Sequence, residues 1–478
     1  MKNHALLEEP PWEGSREVMT MAGPIVIAAM SFVAMDFADK LMVAQLGTQN
    51  LAAIGSASIW AYILGCFILG TVGVISTFVS QSIGRGEPER AGLYAWQGFY
   101  VSLGAGLLTI ALWPLAEPLF GLMGHSEEST KLEVAYFQVR LLGYWPMAWG
   151  TALIAFYQGI NRPAVTMYVV VVANITNIVF NYALIYGHWG FPQLGIAGAA
   201  WGTVISQYVQ AILLHVLYMR RGEDEVYRTR NTWRLEIRRF WELLKIGAPA
   251  GVCMMLDVAT WGIFISFIVG RFGDNALAAN NAALSIMHVS FVPAIALNQA
   301  IAPIVGQWIG RGDIARAKAR TFTALKIAAI YMSVMGVVFA IFGVPIIRIF
   351  NDDPAVVLLG WQLLVMAAVF QLSDSANIVS MGALRGAGDT RWVMWATIVG
   401  AYCVFLPLAT FLALVYPGGP FWAWVGASIY IIGLSIVLLR RFVSEKWRDI
   451  KIFEDSAFNA AAQVSVPAGL AAAQQPAE

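Results

Sequence analysis

Charge is scarce in this chain. Asp, Glu, Lys and Arg together make up 12% of 478 residues, while hydrophobic residues make up 59%, more apolar surface than one soluble core can hide. The net charge of +1 gives no electrostatic basis for nucleic-acid binding. Cysteine is nearly absent too. Cys66, Cys253 and Cys403 all fall inside apolar runs with no CxxC or metal-ligand spacing, which excludes a disulfide framework and a zinc site and leaves them as packing residues. No glycine-rich run ending in Lys-Ser or Lys-Thr precedes a helix, so nothing couples the chain to ATP hydrolysis. No HExxH, GxSxG or GxGD motif falls within a span, which argues against an intramembrane enzyme. The N-terminal MKNHALLEEPPWEGSREV is acidic, bears proline and has no apolar core, so no cleavable signal is expected and the first span serves as an insertion signal.

What the chain has is apolar runs of about 20 residues, the length that crosses a bilayer core. Twelve spans are expected, at 18–45, 54–82, 94–122, 132–158, 163–187, 196–220, 239–271, 279–308, 321–350, 356–384, 392–416 and 421–442. An all-α integral membrane protein follows. The connections on one side, with both tails, hold 25 of the 30 Lys and Arg, which by the positive-inside rule places both termini in the cytoplasm of a multi-pass plasma-membrane (inner-membrane) protein. The expected division is a cytoplasmic tail at 1–17, a first lobe at 18–219, a linker at 220–239, a second lobe at 240–445 and a tail at 446–478, disordered from about 456. The basic linker RRGEDEVYRTRNTWRLEIRRF could also touch anionic lipid.

The two halves are copies. QSIGRGEPERA from Gln81 returns as GQWIGRGDIARA from Gly306, with Gly84 and Gly310 226 residues apart. LAAIG at Leu51 meets LAANN at Leu277 at the same offset, and nearly the same spacing pairs Gly159 with Gly386 and Gly198 with Gly426. Pro24 and Pro249 sit at equivalent points of the first helix of each copy, where they serve either gating or packing. Six-helix repeats of this kind suggest a transporter.

A carboxylate deep in an apolar span costs about 2.5 kcal/mol or more on insertion scales, so such residues are functional candidates. Asp36 and Asp39 share the first span with Lys40; Asp39 is favoured as a proton-exchanging group and Asp36 as a residue that Lys40 neutralises. Asn174, Asn177 and Asn181 form a polar stripe on the fifth span, able to bond that aspartate or to glue helices. Asp257 and Asp374 lack basic neighbours on their own helices and suit a monovalent cation or a shared proton, with Asn280, Asn281 and Asn298 as further oxygen donors and Gln371 beside Asp374. Trp60, Met254, Met255, Trp261, Met287, Phe291 and Phe370 could line a greasy cavity for organic cations.

In order along 18–445, ADKLMVAQLG, LAAIG, SQSIGRGEPERA, NITNIVFNYALIYG, LGIAGAAWGT, LLKIGAPAG, FGDNALAANN, GQWIGRGDIARA, FQLSDSAN and ALRGAGDTR resemble the multidrug and toxic compound extrusion (MATE) family, closest to its NorM-type branch. The resemblance implies twelve helices in two pseudo-symmetric six-helix bundles around a V-shaped cavity. It also implies alternating-access export of organic cations in exchange for protons or sodium, without a cofactor; a monomer is expected. By motif position Asp39 matches the family's amino-lobe coupling aspartate, and Asn177, Asn181 and Thr203 match its hydrogen-bonding partners. Asn181 departs from members that carry aspartate there. Asp257 stands where the sodium-type branch has glutamate, Asp374 matches its partner acid, so sodium is expected at Asp257 and Asp374, and Phe370 replaces a tyrosine common in that branch. The rival from the same superfamily, a flippase for a lipid-linked precursor, would need a strongly basic cavity.

Overall fold

The computed structural model describes residues 12–415 and 418–453, without the side chains of residues 48, 49, 51 and 52. The Leu51 side chain of the first LAAIG motif and the tail from Ser456 therefore lie outside the described residues. The chain is helical throughout, with no strand among the described residues. The helices are α1 (Glu13–Ala44), α2 (Thr48–Gly73), α3 (Ile75–Gly84), α4 (Pro88–Ala111), α5 (Ala116–Gly121), α6 (Glu127–Leu141), α7 (Tyr144–Gly159), α8 (Pro163–Tyr186) and α9 (Ile196–Tyr218) in the first half. A short α10 (Arg221–Tyr227) in the connection precedes α11 (Ile237–Ile263), α12 (Asp274–Gly310), α13 (Ile314–Arg348), α14 (Pro354–Ala387), α15 (Thr390–Val399), α16 (Leu406–Leu414) and α17 (Pro420–Val443).

Local chemistry sets the boundaries. Pro88, Pro163, Pro354 and Pro420 open α4, α8, α14 and α17, where a missing backbone N–H costs nothing. Asp313 and Asp353 cap α13 and α14 by accepting from the N–H of Arg316 and Ala355. Among the described residues, eleven helical stretches are long and apolar enough to cross a membrane. The segment expected as one span at 132–158 is instead α6 and α7, interrupted at Leu142 and Gly143. Pro146 explains the break, because it cannot donate to the carbonyl of Leu142 one turn earlier. Counted with that broken span, each half supplies six crossings and the fold is two six-helix bundles. Two further spans carry π-helical turns, Phe264–Ile268 after α11 and Gly400–Phe405 between α15 and α16.

Burial shows which helices form the seam. In Ala53–Gly84 and Asp274–Gly310, 72% of the apolar window is buried, against 28% in Ile314–Arg348, so the two copies of the second crossing face protein while others face lipid. Glycines meet there: a Cβ on Gly310 would lie 2.9 Å from the Cα of its repeat partner Gly84, and one on Gly70 would lie 2.7 Å from Gly251 Cα. Around them the bonds are exchanged symmetrically. Gln81 Nε2 donates to the carbonyl of Gly386 at 3.0 Å, and its repeat partner Gln307 donates to the carbonyl of Gly159, the repeat partner of Gly386, at 3.0 Å. Tyr94 to Glu242 at 2.5 Å, Thr77 to the Arg385 carbonyl at 2.9 Å, and Trp308 and Arg320 to Glu17 at 3.0 and 2.5 Å add to the same seam. Apart from the Gly70–Gly251 contact at mid-helix, these contacts lie toward the end that carries the GRGEPERA and GRGDIARA turns. That end is the closed point of the V.

Candidate functional site

In the first bundle α1 and α8 run in parallel, and two polar rungs join them. Asn174 Nδ2 donates to Ser31 Oγ at 2.7 Å, and about two turns further along Asn181 Nδ2 donates to Asp39 Oδ1 at 2.5 Å. From Asn181 the network continues to Asn177 Oδ1 at 3.0 Å and from Asn177 to Thr203 Oγ1 on α9 at 3.4 Å. Asn174, Asn177 and Asn181 are all buried, as a stripe at helical spacing requires. Gly202 is what lets α9 close over them: a Cβ there would collide with Asn181 Oδ1. The sequence-stated set Asp39, Asn177, Asn181 and Thr203 is thus one connected constellation. Asp36 is not part of it. Its carboxylate pairs with Lys40 at 2.7 Å, with half of the Asp36 side chain and most of Lys40 exposed, so this pair shares no hydrogen bond with the network and reaches Asp39 through charge alone.

Arg140, on the last turn of α6 beside the helix break, was not singled out from sequence. It lies within electrostatic reach of Asp39, and its Nη1 is buried without a hydrogen-bond partner among the described residues. In the sequence it is a single basic residue inside the span expected at 132–158.

In the second bundle Asp257 on α11 and Asp374 on α14 come within electrostatic reach of each other. Asn377 Nδ2 donates to Asp374 Oδ1 at 3.0 Å, leaving Asn377 Oδ1 buried and unpartnered among the described residues. No ion pair neutralises either acid among the described residues. Tyr430 on α17 is the residue that sequence reasoning missed: its buried hydroxyl has no hydrogen-bond partner among the described residues, and it lies within electrostatic reach of Asp257, Asp374 and Cys253. Its ring stacks on Phe405 at 5.1 Å, and Gly400 makes room for it, since a Cβ there would lie 2.9 Å from Tyr430 Cε2. Gly400 and Phe405 bound the π-helical turn. Asp257 also lies within reach of Tyr62 and Cys66 of α2, so this acid faces the opposite bundle as well.

Other candidates separate from this group. Asn280 accepts from Trp424 Nε1 at 3.0 Å and Asn298 donates to the carbonyl of Ile378 at 2.6 Å, so both bridge helices. Asn281 is exposed on the other face of α12, one residue from Asn280 and therefore turned about 100° from it. Gln371, fully buried, reaches Ser290 Oγ at 3.3 Å rather than Asp374. Of the cavity candidates, Met287 and Phe370 are core residues, 1% and 2% exposed, and Trp261 packs among Phe264, Phe405 and Trp424. Periodicity cannot tell an apolar helix face turned to a cavity from one turned to a neighbouring helix. Met254 is exposed, and Met255 and Phe291 are half-buried.

A sequence model of the MatE family matches residues 24–183 and 249–411, one match in each bundle. The chain belongs to the MATE family. It is therefore a membrane transporter built on the duplicated bundle. The chain is 29% identical over 451 residues to the multidrug resistance protein PmpM of Pseudomonas aeruginosa, covering 92% of this chain and 93% of that one. It is 29% identical to NorM of Burkholderia vietnamiensis, covering 88% and 92%, and 27% identical to MdtK of Edwardsiella ictaluri, covering 91% and 96%. Among solved structures, a MATE crystallised with MaL6 superimposes with a TM-score of 0.84 at 20% identity, over 93% of this chain and 98% of that one. A MATE family transporter in an outward-facing conformation gives 0.82 at 20% identity over 91% and 97%. These likenesses in structure show the shared MATE fold.

Proposed function

We propose that this MATE protein is a secondary antiporter that exports organic cations, drugs among them, across the inner membrane in exchange for sodium or protons, with both termini in the cytoplasm. The observation that carries the reading is the pair Asp257 and Asp374: two acids inside the membrane region, without an ion pair among the described residues, beside an unpartnered tyrosine hydroxyl and an unpartnered amide oxygen. Acids held inside a bilayer are expensive unless a mobile cation supplies the missing charge for part of the cycle. The donors are all oxygen, the chemistry that suits sodium, and the same carboxylates can carry a proton. The names of the relatives, which are multidrug resistance proteins, support a drug as cargo.

The basic turns support the orientation. With that end cytoplasmic, the seam between the bundles closes the cytoplasmic side, and rocking of one bundle against the other exposes the acids to each side in turn. A lipid-linked-precursor flippase is disfavoured because a phosphate needs a basic cavity, and the intramembrane side chains assembled here are mainly acids and amides. The deciding experiment is ethidium efflux from proteoliposomes driven by a sodium gradient alone and by a proton gradient alone. Efflux under at least one gradient, and none without a gradient, is expected; equal rates with and without either gradient would refute antiport.

A further inference from the structure

The residues after the last membrane helix were expected as the start of a cytoplasmic tail, and those up to Phe453 hold some of the most buried side chains of the molecule. The chain turns back at Glu445, a non-glycine residue at φ 56°, whose carboxylate is gripped by Lys318 of α13 at 2.6 Å. That hydrogen bond and ion pair hold the Glu445 carboxyl below its usual range. Trp447, 1% exposed, stacks on Phe442 and donates its indole N–H to the Phe442 carbonyl at 2.7 Å, fixing the turn to the second bundle. The segment then crosses the seam.

Ile450 packs against the cores of both bundles. Ile452 sits over Gly388, at φ 87°, so closely that any Cβ on Gly388 would collide with it. Phe453 ends in the core of the first bundle: it is 5% exposed, edge-on to Phe78 at 5.8 Å and tilted against Tyr94 at 5.7 Å. The guanidinium groups of Arg85 and Arg90 lie 4.4 and 5.1 Å from its ring centre. Arg85 belongs to the first GRG turn and Tyr94 to α4, which bonds Glu242 of the other bundle. A strap anchored in one bundle and socketed in the other thus lies across their exchanged glutamine bonds.

We propose that residues 444–453 are a latch that holds the bundles together at the end bearing the basic turns, and that Phe453 must leave its socket before that end can open. The proposal rests on the alternating-access reading. Its physical basis is differential burial: the strap is anchored on the second bundle through Lys318 and Phe442 while the socket of Phe453 lies on the first, so Phe453 is buried only when the bundles are closed, and the latch stabilises that state alone. Leaving the socket also gives up two cation–π contacts.

The test is a distance measurement between spin labels on Glu225→Cys and Arg311→Cys, in a Cys403→Ser background, with the purified full-length chain. Glu225 lies in α10, which Arg162–Glu223 and Arg228–Glu89 tie to the first bundle, and Arg311 caps α12 of the second. The full chain and a chain ending at Phe453 are expected to give the short distance of the closed seam. Phe453→Ala, and a chain ending at Ile450, are expected to raise the ratio of open to closed molecules on the order of tenfold. Equal distributions in all four would overturn the latch. So would a loss of folded protein with no change in the distribution of what folds, which is the mark of a purely structural strap. No substrate enters this readout, so failure of drug antiport and failure of the latch are told apart.

Discussion

The two bundles descend from one ancestor and keep the same seam, yet they hold acid in different ways. In the first, Asp39 sits in a relay of amides and a hydroxyl that runs through Asn181 and Asn177 to Thr203, with Arg140 nearby. In the second, Asp257 and Asp374 share a region whose neighbours are unpartnered oxygens and stacked aromatics. The positions do not correspond either. Asp39 lies about two turns further beyond Pro24 than Asp257 lies beyond Pro249, and the counterpart of Asp39 is Phe264, fully buried at the first π-helical turn. Duplication conserved the packing that closes the molecule and left the chemistry inside each bundle free to diverge. The first bundle holds one acid in a chain of hydrogen bonds, whereas the second holds two acids without an ion pair among the described residues, one of them bonded only by Asn377.

The comparison can be broken most forcefully at Asp374. Asp374→Asn is expected to lower gradient-driven dye efflux at least about tenfold at unchanged membrane abundance, since the second bundle then keeps one acid. Unchanged efflux would remove Asp374 from the ion site. Next comes Gly202→Ala, which places a methyl where Asn181 Oδ1 now sits and should cost about 1–3 kcal/mol of stability by overpacking. Thermal unfolding in detergent measures the cost, and an unshifted midpoint would mean that the relay has room the structure does not show.

Tyr430→Phe sharpens the contrast without emptying the core. If the hydroxyl serves the cation, the apparent ion affinity in efflux assays should weaken about tenfold, the worth of one hydrogen bond to a charged group. If the ring alone matters, affinity stays where it was. The smallest effect belongs to Asp36→Asn. Its exposed pair with Lys40 is worth about 0–1 kcal/mol, so both efflux and stability should stay within error of the parent.

Much of this was legible in the residues. Gln81 and Gln307, Gly84 and Gly310, and Gly159 and Gly386 stood out as repeat partners, and they meet across the seam because a two-fold arrangement of copies brings equivalent surfaces together. The asparagine stripe was legible because three amides at helical spacing in an apolar run must find partners. Tyr430 was not, because one tyrosine in the run IYIIG reads as core, and only the stacking of α17 against the π-helical turn brings it near two acids. The break before α7 hid in a span whose composition is continuous, although Pro146 marks it. Met287 and Phe370 were candidates for either a cavity or packing and lie in the core, since which apolar face meets a neighbour is decided by tertiary packing. Trp447 and Phe453 were lost in an apparent tail, where isolated aromatics carry no periodicity.

The division of labour between the bundles is tested most directly by dye movement in proteoliposomes holding the parent chain, Asp257→Asn or Asp39→Asn, with and without the driving ion gradient. For Asp257→Asn the account predicts that the gradient no longer accelerates efflux while dye still equilibrates down its own concentration difference. Gradient-driven efflux by Asp257→Asn at the parental rate would contradict it.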